Sequence, residues 1–317
     1  MTKDTTINRS TIKRGRSRAA RNNSPAQRSS RQFLILMLAP SLLIILVVIA
    51  FPLLYSFYLS FTAFTLLKPV QNWVGLNNYI RLAQTPLFWQ AFGNTLLFLF
   101  ITTNGALLLG ILLSQLIARV GRGQSVLRTL LMVPMMFAPV LVGFQFRWFF
   151  NDQLGLVNNV LLQVGIIQES VPWLVGRNTA MFSIMVATIW MYTPVVAIIL
   201  LAGTLSLPHE QMEAAQVDGA NAWQRFWWIT LPLLRPFITI ALTILSLDVA
   251  RGYDIVQIMT GGGPAHRTEL LWTLIGRTAI TDSKFALGSA MSFVTVVVTL
   301  GFTLYLFRQL LKSRIVE

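Results

Sequence analysis

The chain of 317 residues is 55% apolar and only 11% charged, with a formal net charge of +14 and no cysteine. A soluble globular domain carries about a quarter charged residues, so a wholly water-exposed surface is excluded and lipid must cover much of this protein. The lack of cysteine excludes disulfides, iron–sulfur clusters and thiolate metal sites; His209 and His266, far apart in sequence, do not suggest a metal site either.

The first predicted element is a basic tail. Nine of the 25 Lys and Arg residues precede Phe33, in a Ser/Asn/Arg-rich stretch with one acid, Asp4. Residues 1–32 are read as a disordered cytoplasmic tail that sets orientation and touches anionic lipid, rather than as a nucleic-acid-binding arm. The apolar run that follows is too long for a cleaved signal peptide, and no A-x-A site comes after it.

Residues 33–317 read as a transmembrane domain. Crossing about 30 Å of hydrocarbon takes roughly 20 apolar helical residues, and six segments qualify: 33–61, 95–117, 129–149, 180–201, 237–249 and 285–307. They are continuously apolar, without the alternation of barrel strands, so they are helices. Pro40, Pro52, Pro134, Pro139 and Pro194 fall inside them. Each removes a backbone hydrogen bond, which kinks a helix beside a cavity or is absorbed by packing. Between spans, segments 62–93, 151–178 and 251–283 are long and mixed in character. They either dock a partner outside the membrane or cap the helices.

The tail, the 119–128 loop, the 204–236 loop and the C-terminal end carry 17 basic residues and leave eight elsewhere. The positive-inside rule then puts both termini in the cytoplasm. The expected fold class is an all-α membrane protein with six transmembrane helices.

The most informative loop is 206–236, SLPHEQMEAAQVDGANAWQRFWWITLPLLRP. Pro208 suits a helix start, and Glu210 and Glu213 lie in the early turns, where the helix dipole favours negative charge. Good helix formers run to Asp218, and Gly219 permits a sharp change of direction. A second short helix follows with Trp223, Phe226, Trp227 and Ile229 on its apolar side, and Leu231-Pro232 is expected to stop it. The residues alone predict a helix–glycine–helix elbow at the membrane surface, either seated in a partner or lying alone as an amphipathic hairpin.

This loop resembles the signature loop of bacterial ABC-importer permeases: Glu-Ala-Ala, three residues, Gly, then nine residues to Ile-x-Leu-Pro. Here those positions are Glu213, Ala214, Ala215, Gly219, Ile229, Leu231 and Pro232, and Asp218 with Ala220 completes the Asp-Gly-Ala form common among carbohydrate permeases. Downstream, Tyr253-Asp254-Ile255 and Met259-Thr260-Gly261-Gly262-Gly263-Pro264 resemble the extracytoplasmic Phe-Asp to Leu-Thr-x-Gly-Gly-Pro segment of such permeases, with Tyr253 and Met259 as mild departures. The resemblance extends from Phe33 onward and takes the six-helix form of maltose, glycerol-phosphate and polyol permease subunits.

The resemblance implies a type I ABC-importer permease fold in a bacterial inner membrane. The implied partners are a second, unlike permease subunit, two ATP-binding subunits and an extracytoplasmic solute-binding protein. Glu213 would contact the ATPase and Gly219 would form the bend, so that closure of the ATPase pair on ATP moves the elbows and switches the cavity between inward- and outward-open. The chain itself has no G-x-x-x-x-G-K-[ST] motif and no catalytic constellation, so it binds no cofactor and ATP and Mg belong to the partner. Nucleic acid is not an expected partner.

Polar groups within spans are candidates for the solute path. Trp190, Tyr192 and Thr193 offer a ring and hydroxyls of the kind sugars need, and similar permeases contact substrate near Trp190–Tyr192. Asp248 and Arg251 also qualify, although their i,i+3 spacing allows an ordinary ion pair. Asn94 and Asn104 either line the path or bond between helices. Competing functions are an importer of a non-carbohydrate solute, an ion-coupled secondary transporter and a non-transporting anchor for an ATPase.

Overall fold

The computed structural model describes residues 25–65, 67, 72–176 and 178–314. The first 24 residues of the expected tail lie outside the described residues. The chain divides into two compact units, residues 1–54 and 55–317, and no strand occurs among the described residues.

The elements run α1 (Pro25–Ile45), a π turn (Leu46–Ala50), α2 (Phe51–Ser60), α3 (Asn77–Gln84), α4 (Pro86–Ala118) and α5 (Gln124–Met132). Then follow a 3-10 turn (Pro134–Met136), α6 (Pro139–Phe149), α7 (Leu156–Gln163), α8 (Thr179–Leu205), α9 (His209–Val217) and α10 (Ala222–Arg225). A second π turn (Phe226–Thr230) leads to α11 (Leu231–Leu233), α12 (Arg235–Ala250), α13 (Asp254–Met259) and α14 (Leu271–Gly276), and a third (Arg277–Thr281) precedes α15 (Phe285–Arg314).

Three stretches are long and apolar enough to cross a membrane: Leu36–Ser60, α4 and α8. Two bent pairs raise that number to five if each is one span. The apolar part of α15, Phe285–Gly301, is shorter. The expected span at 129–149, with Pro134 and Pro139 inside it, is broken by 92° between the 3-10 turn and α6. Pro139 supplies the reason. It lacks a donor and forces the preceding residue out of helix, and Ala138 is accordingly extended at φ −63°, ψ 143°.

The expected stop at Leu231-Pro232 is likewise displaced. The helical run continues through Leu233 and bends by 64° into α12. Pro232 has no N–H for the carbonyl of Trp228, but the π turn widens the helix just there and relieves the clash. Pro52 stands in the same relation to its own π turn, Leu46–Ala50.

The core of the second unit sits where α4, α6, α8, α12 and α13 meet. Phe98, Val142, Ile184, Leu200, Leu245, Val249 and Val256 are all buried there. A second cluster packs α3 and the start of α4 against α14 and α15 through Leu82, Phe88, Leu271, Leu274 and Met291. In the lower half of the α4–α8 pair, Gly105 and Gly110 draw the helices into contact. A Cβ at either would lie 2.6 Å from Ile189 or Val196.

Two of the long inter-span segments are tied down by single buried asparagines. Asn78 donates to the carbonyls of Ser60 and Thr62, each at 2.8 Å. Asn158 donates to the carbonyls of Asp152 and Val171 and accepts from the Trp173 indole. Asn78 thus ties its segment to the end of α2, and Asn158 ties two loop stretches to α7, which keeps these buried polar atoms satisfied.

Candidate functional site

The signature residues lie on an exposed elbow. Pro208 is extended at φ −62°, ψ 121° and starts α9, with Glu210 in the first turn. No residue of α9 is buried. Gly219 adopts φ +82°, a left-handed conformation natural to glycine, and turns the chain. The next helix is then fixed by a reciprocal capping box: Gln224 N–H donates to Asn221 Oδ1 and Asn221 N–H to Gln224 Oε1, both at 2.8 Å. Glu213, Ala214, Asp218 and Gly219 are exposed, while Ala215 and Ala220 are half-buried. Asp218, Gly219, Ala220, Gln224, Arg225 and Trp228 line a cleft of about 350 Å³ in the crook of the elbow. Large apolar side chains also face outward here, with Val217 at 89% and Trp228 at 81% exposure. A short helix with nothing beneath it does not persist on propensity alone, so this geometry suits a helix that beds into another protein.

The two helices leaving the elbow carry the candidate path residues. α8 and α12 close on each other near the elbow, where Gly203 meets the Phe237 ring. Tyr192 lies 13 residues before the end of α8 and Asp248 lies 13 residues after the start of α12, so both stand about 20 Å from the elbow. Tyr192 and Asp248 thus stand at a similar distance from the elbow, each on one of the two helices that leave it. Asp248 and Arg251 are exposed and form no ion pair among the described residues. Arg251 has left helical geometry at φ −90°, ψ 16°, and only its N–H reaches back to the Asp248 carbonyl.

Trp190 and Thr193 sit differently. Trp190 is about 200° around the helix from Tyr192 and packs its ring 5.3 Å from Phe146. Thr193 is buried and its hydroxyl donates to the Ile189 carbonyl at 2.7 Å. Asn94 donates to the carbonyls of Arg267 and Glu269, whereas Asn104 is exposed and bonds only its own helix at Phe100.

The Gly-Gly-Gly-Pro loop contains a charged cluster that no sequence pattern pointed to. Glu269 is fully buried, and its Oε2 lies 2.9 Å from His266 Nδ1 and 3.2 Å from Arg277 Nη2. Arg277 also donates to the Gly261 carbonyl at 2.7 Å. His266 Nδ1 lies 2.9 Å from Arg277 Nη1 as well. One ring nitrogen cannot donate to a carboxylate and accept from a guanidinium at once, so the two contacts are alternatives set by the tautomer. Gly262, at φ +83°, is needed for the approach, since a Cβ there would fall 2.6 Å from Glu269 Oε2. The glycine run was the one signal available, and it signalled only a turn.

The family described as "Binding-protein-dependent transport system inner membrane component" matches residues 106–317. The trehalose/maltose transport system permease protein of Thermococcus litoralis is 32% identical over 269 residues, covering 85% of this chain and 90% of that protein. The sulfoquinovosyl glycerol transport system permease protein of Agrobacterium fabrum is 34% identical over 265 residues, or 83% and 85% of the two. A chain of a bacterial ABC transporter involved in import of the acidic polysaccharide alginate shares the fold, with a TM-score of 0.77 at 24% identity over 90% of this chain and 96% of that chain.

Proposed function

Because the chain belongs to the family of binding-protein-dependent transport system inner membrane components, we propose that it forms half of the translocation path of an ATP-driven importer for a sugar or sugar derivative. As a member of that family it is a non-catalytic, membrane-embedded transporter subunit. The solute class rests on relatives named for trehalose/maltose and sulfoquinovosyl glycerol transport. In this reading six spans cross a bacterial inner membrane with both termini cytoplasmic. A second, unlike permease completes the path, two ATP-binding subunits hold all of the ATP and Mg, and a binding protein delivers the solute.

The observation that carries the reading is the exposed elbow bearing Glu213, Ala214, Ala215, Asp218, Gly219 and Ala220. With α9 seated in the ATPase, closure of the ATPase pair pushes on the elbow. The capping box at Asn221 makes α10 move with it, and α8 and α12 transmit the shift to Tyr192, Asp248 and Arg251. There an aromatic ring and opposite charges meet the solute, with Trp190 and Thr193 holding the helix in register behind them. Reconstitution of the tagged chain with its co-purifying partners tests this: uptake of a labelled disaccharide is expected to require both ATP and the binding protein. Uptake driven by an ion gradient without ATP would overturn it.

A further inference from the structure

The same pair of helices that is drawn together by Gly105 and Gly110 splays apart at its other end. From α4, Gln90, Asn94, Leu97 and Ile101 face the gap, a stripe at helical spacing; from α8, Met181, Phe182, Met185, Val186 and Ile189 form a second. Asn178, just ahead of α8, and Arg267, from the glycine-loop segment, complete a groove of about 480 Å³. It closes where Ile189 meets Gly105.

The two walls are matched in height. Gln90 to Ile101 and Asn178 to Ile189 are both 11 residues apart, which is about 16 Å of helix. The part below residues 95 and 180 is about 9–14 Å deep, which lies within the roughly 15 Å hydrocarbon depth of one leaflet. Polarity changes along the groove at the same level. Gln90, Asn94, Asn178 and Arg267 stand at the mouth, just outside the apolar spans that begin near residues 95 and 180, and only apolar side chains line the rest. No carboxylate lines it. The Arg267 side chain is exposed and has no partner among the described residues. The groove narrows to nothing where Ile189 meets Gly105, a taper that suits the end of an acyl chain rather than the constant width of a helix, about 10–12 Å.

We propose that this groove binds one anionic phospholipid from the leaflet on the side of the glycine loop. Its phosphate faces Arg267, Asn178 and the remaining N–H of Gln90, while Asn94, whose amide donates to the Arg267 and Glu269 carbonyls, holds the Arg267 segment in place; an acyl chain fills the gap down to Ile189. The site is independent of which solute is carried.

The test is native mass spectrometry of the full chain in mild detergent, offered phosphatidylglycerol or phosphatidylcholine. The wild-type chain is expected to retain one phosphatidylglycerol at least tenfold more readily than phosphatidylcholine. Arg267→Gln removes that preference to within twofold, and Ile101→Trp, which fills the groove, reduces retention of both lipids. Both side chains are exposed, so neither change disturbs the core. Retention unchanged in both variants would overturn the site, and displacement by millimolar inorganic phosphate would overturn the acyl-chain part. A photoreactive benzoylphenylalanine at Leu97 in the otherwise native chain should label lipid. Labelling of a second polypeptide instead would assign the groove to a protein partner and overturn the proposal.

Discussion

Two loops carry most of what is distinctive in this chain, and each contains a glutamate in opposite circumstances. Glu213, on the elbow between α8 and α12, is exposed and has no side-chain hydrogen bond or ion pair among the described residues. Glu269, on the glycine loop, is fully buried and bonded to His266 and Arg277. A carboxylate is not buried without compensation, and Glu269 finds it inside its own subunit through Oε2, although its Oε1 has no hydrogen-bond partner among the described residues. The elbow, by contrast, is open, as the proposed seating in an ATP-binding subunit requires. The difference separates residues that build the subunit from residues that connect it.

Substitutions should divide along the same line, ranked by their effect on the stability of the detergent-solubilised chain. Glu269→Ala is expected to be the most damaging, at about 2–3 kcal/mol, because it leaves Arg277 without its charged partner. Its thermal midpoint should fall well below that of the wild type. Gly262→Ala should follow at about 1–2 kcal/mol, since alanine is strained at this positive φ and its Cβ would crowd Glu269 Oε2. Asn221→Ala removes the capping box and should cost about 1 kcal/mol locally, read as faster amide exchange at the start of α10. Glu213→Arg should lie within about 0.5 kcal/mol of wild type, yet uncouple ATP hydrolysis from transport in the reconstituted importer. A large stability loss in Glu213→Arg, or none in Glu269→Ala, would break the distinction.

The parts legible in sequence were those that depend on local pattern. Five of the six apolar segments fall largely on helical stretches, 129–149 falls on a broken pair, and residues 213–229 fold into the elbow that their spacing predicts, down to the left-handed Gly219. What was not legible depends on where elements meet. Pro139 announced a break, but its 92° angle follows from how α6 packs on α13, where Gly143 meets Ile258. Leu231-Pro232 looked like a stop because sequence does not reveal that a π turn precedes it. The i,i+3 spacing of Asp248 and Arg251 suggested a pair, but the helix ends between them. Glu269, His266 and Arg277 are brought together by an irregular turn with positive φ at Gly261 and Gly262, which no periodic pattern encodes.

The most direct test exploits the absence of native cysteine. A single Val217→Cys, at a position 89% exposed on the elbow, would be treated in native membranes with a thiol–amine crosslinker. A parallel Ala265→Cys on the glycine loop serves as control. The account predicts that Val217→Cys forms an adduct with a polypeptide carrying a Walker nucleotide-binding motif, and that Ala265→Cys does not. No such adduct from Val217→Cys, or equal adducts from both positions, would contradict it.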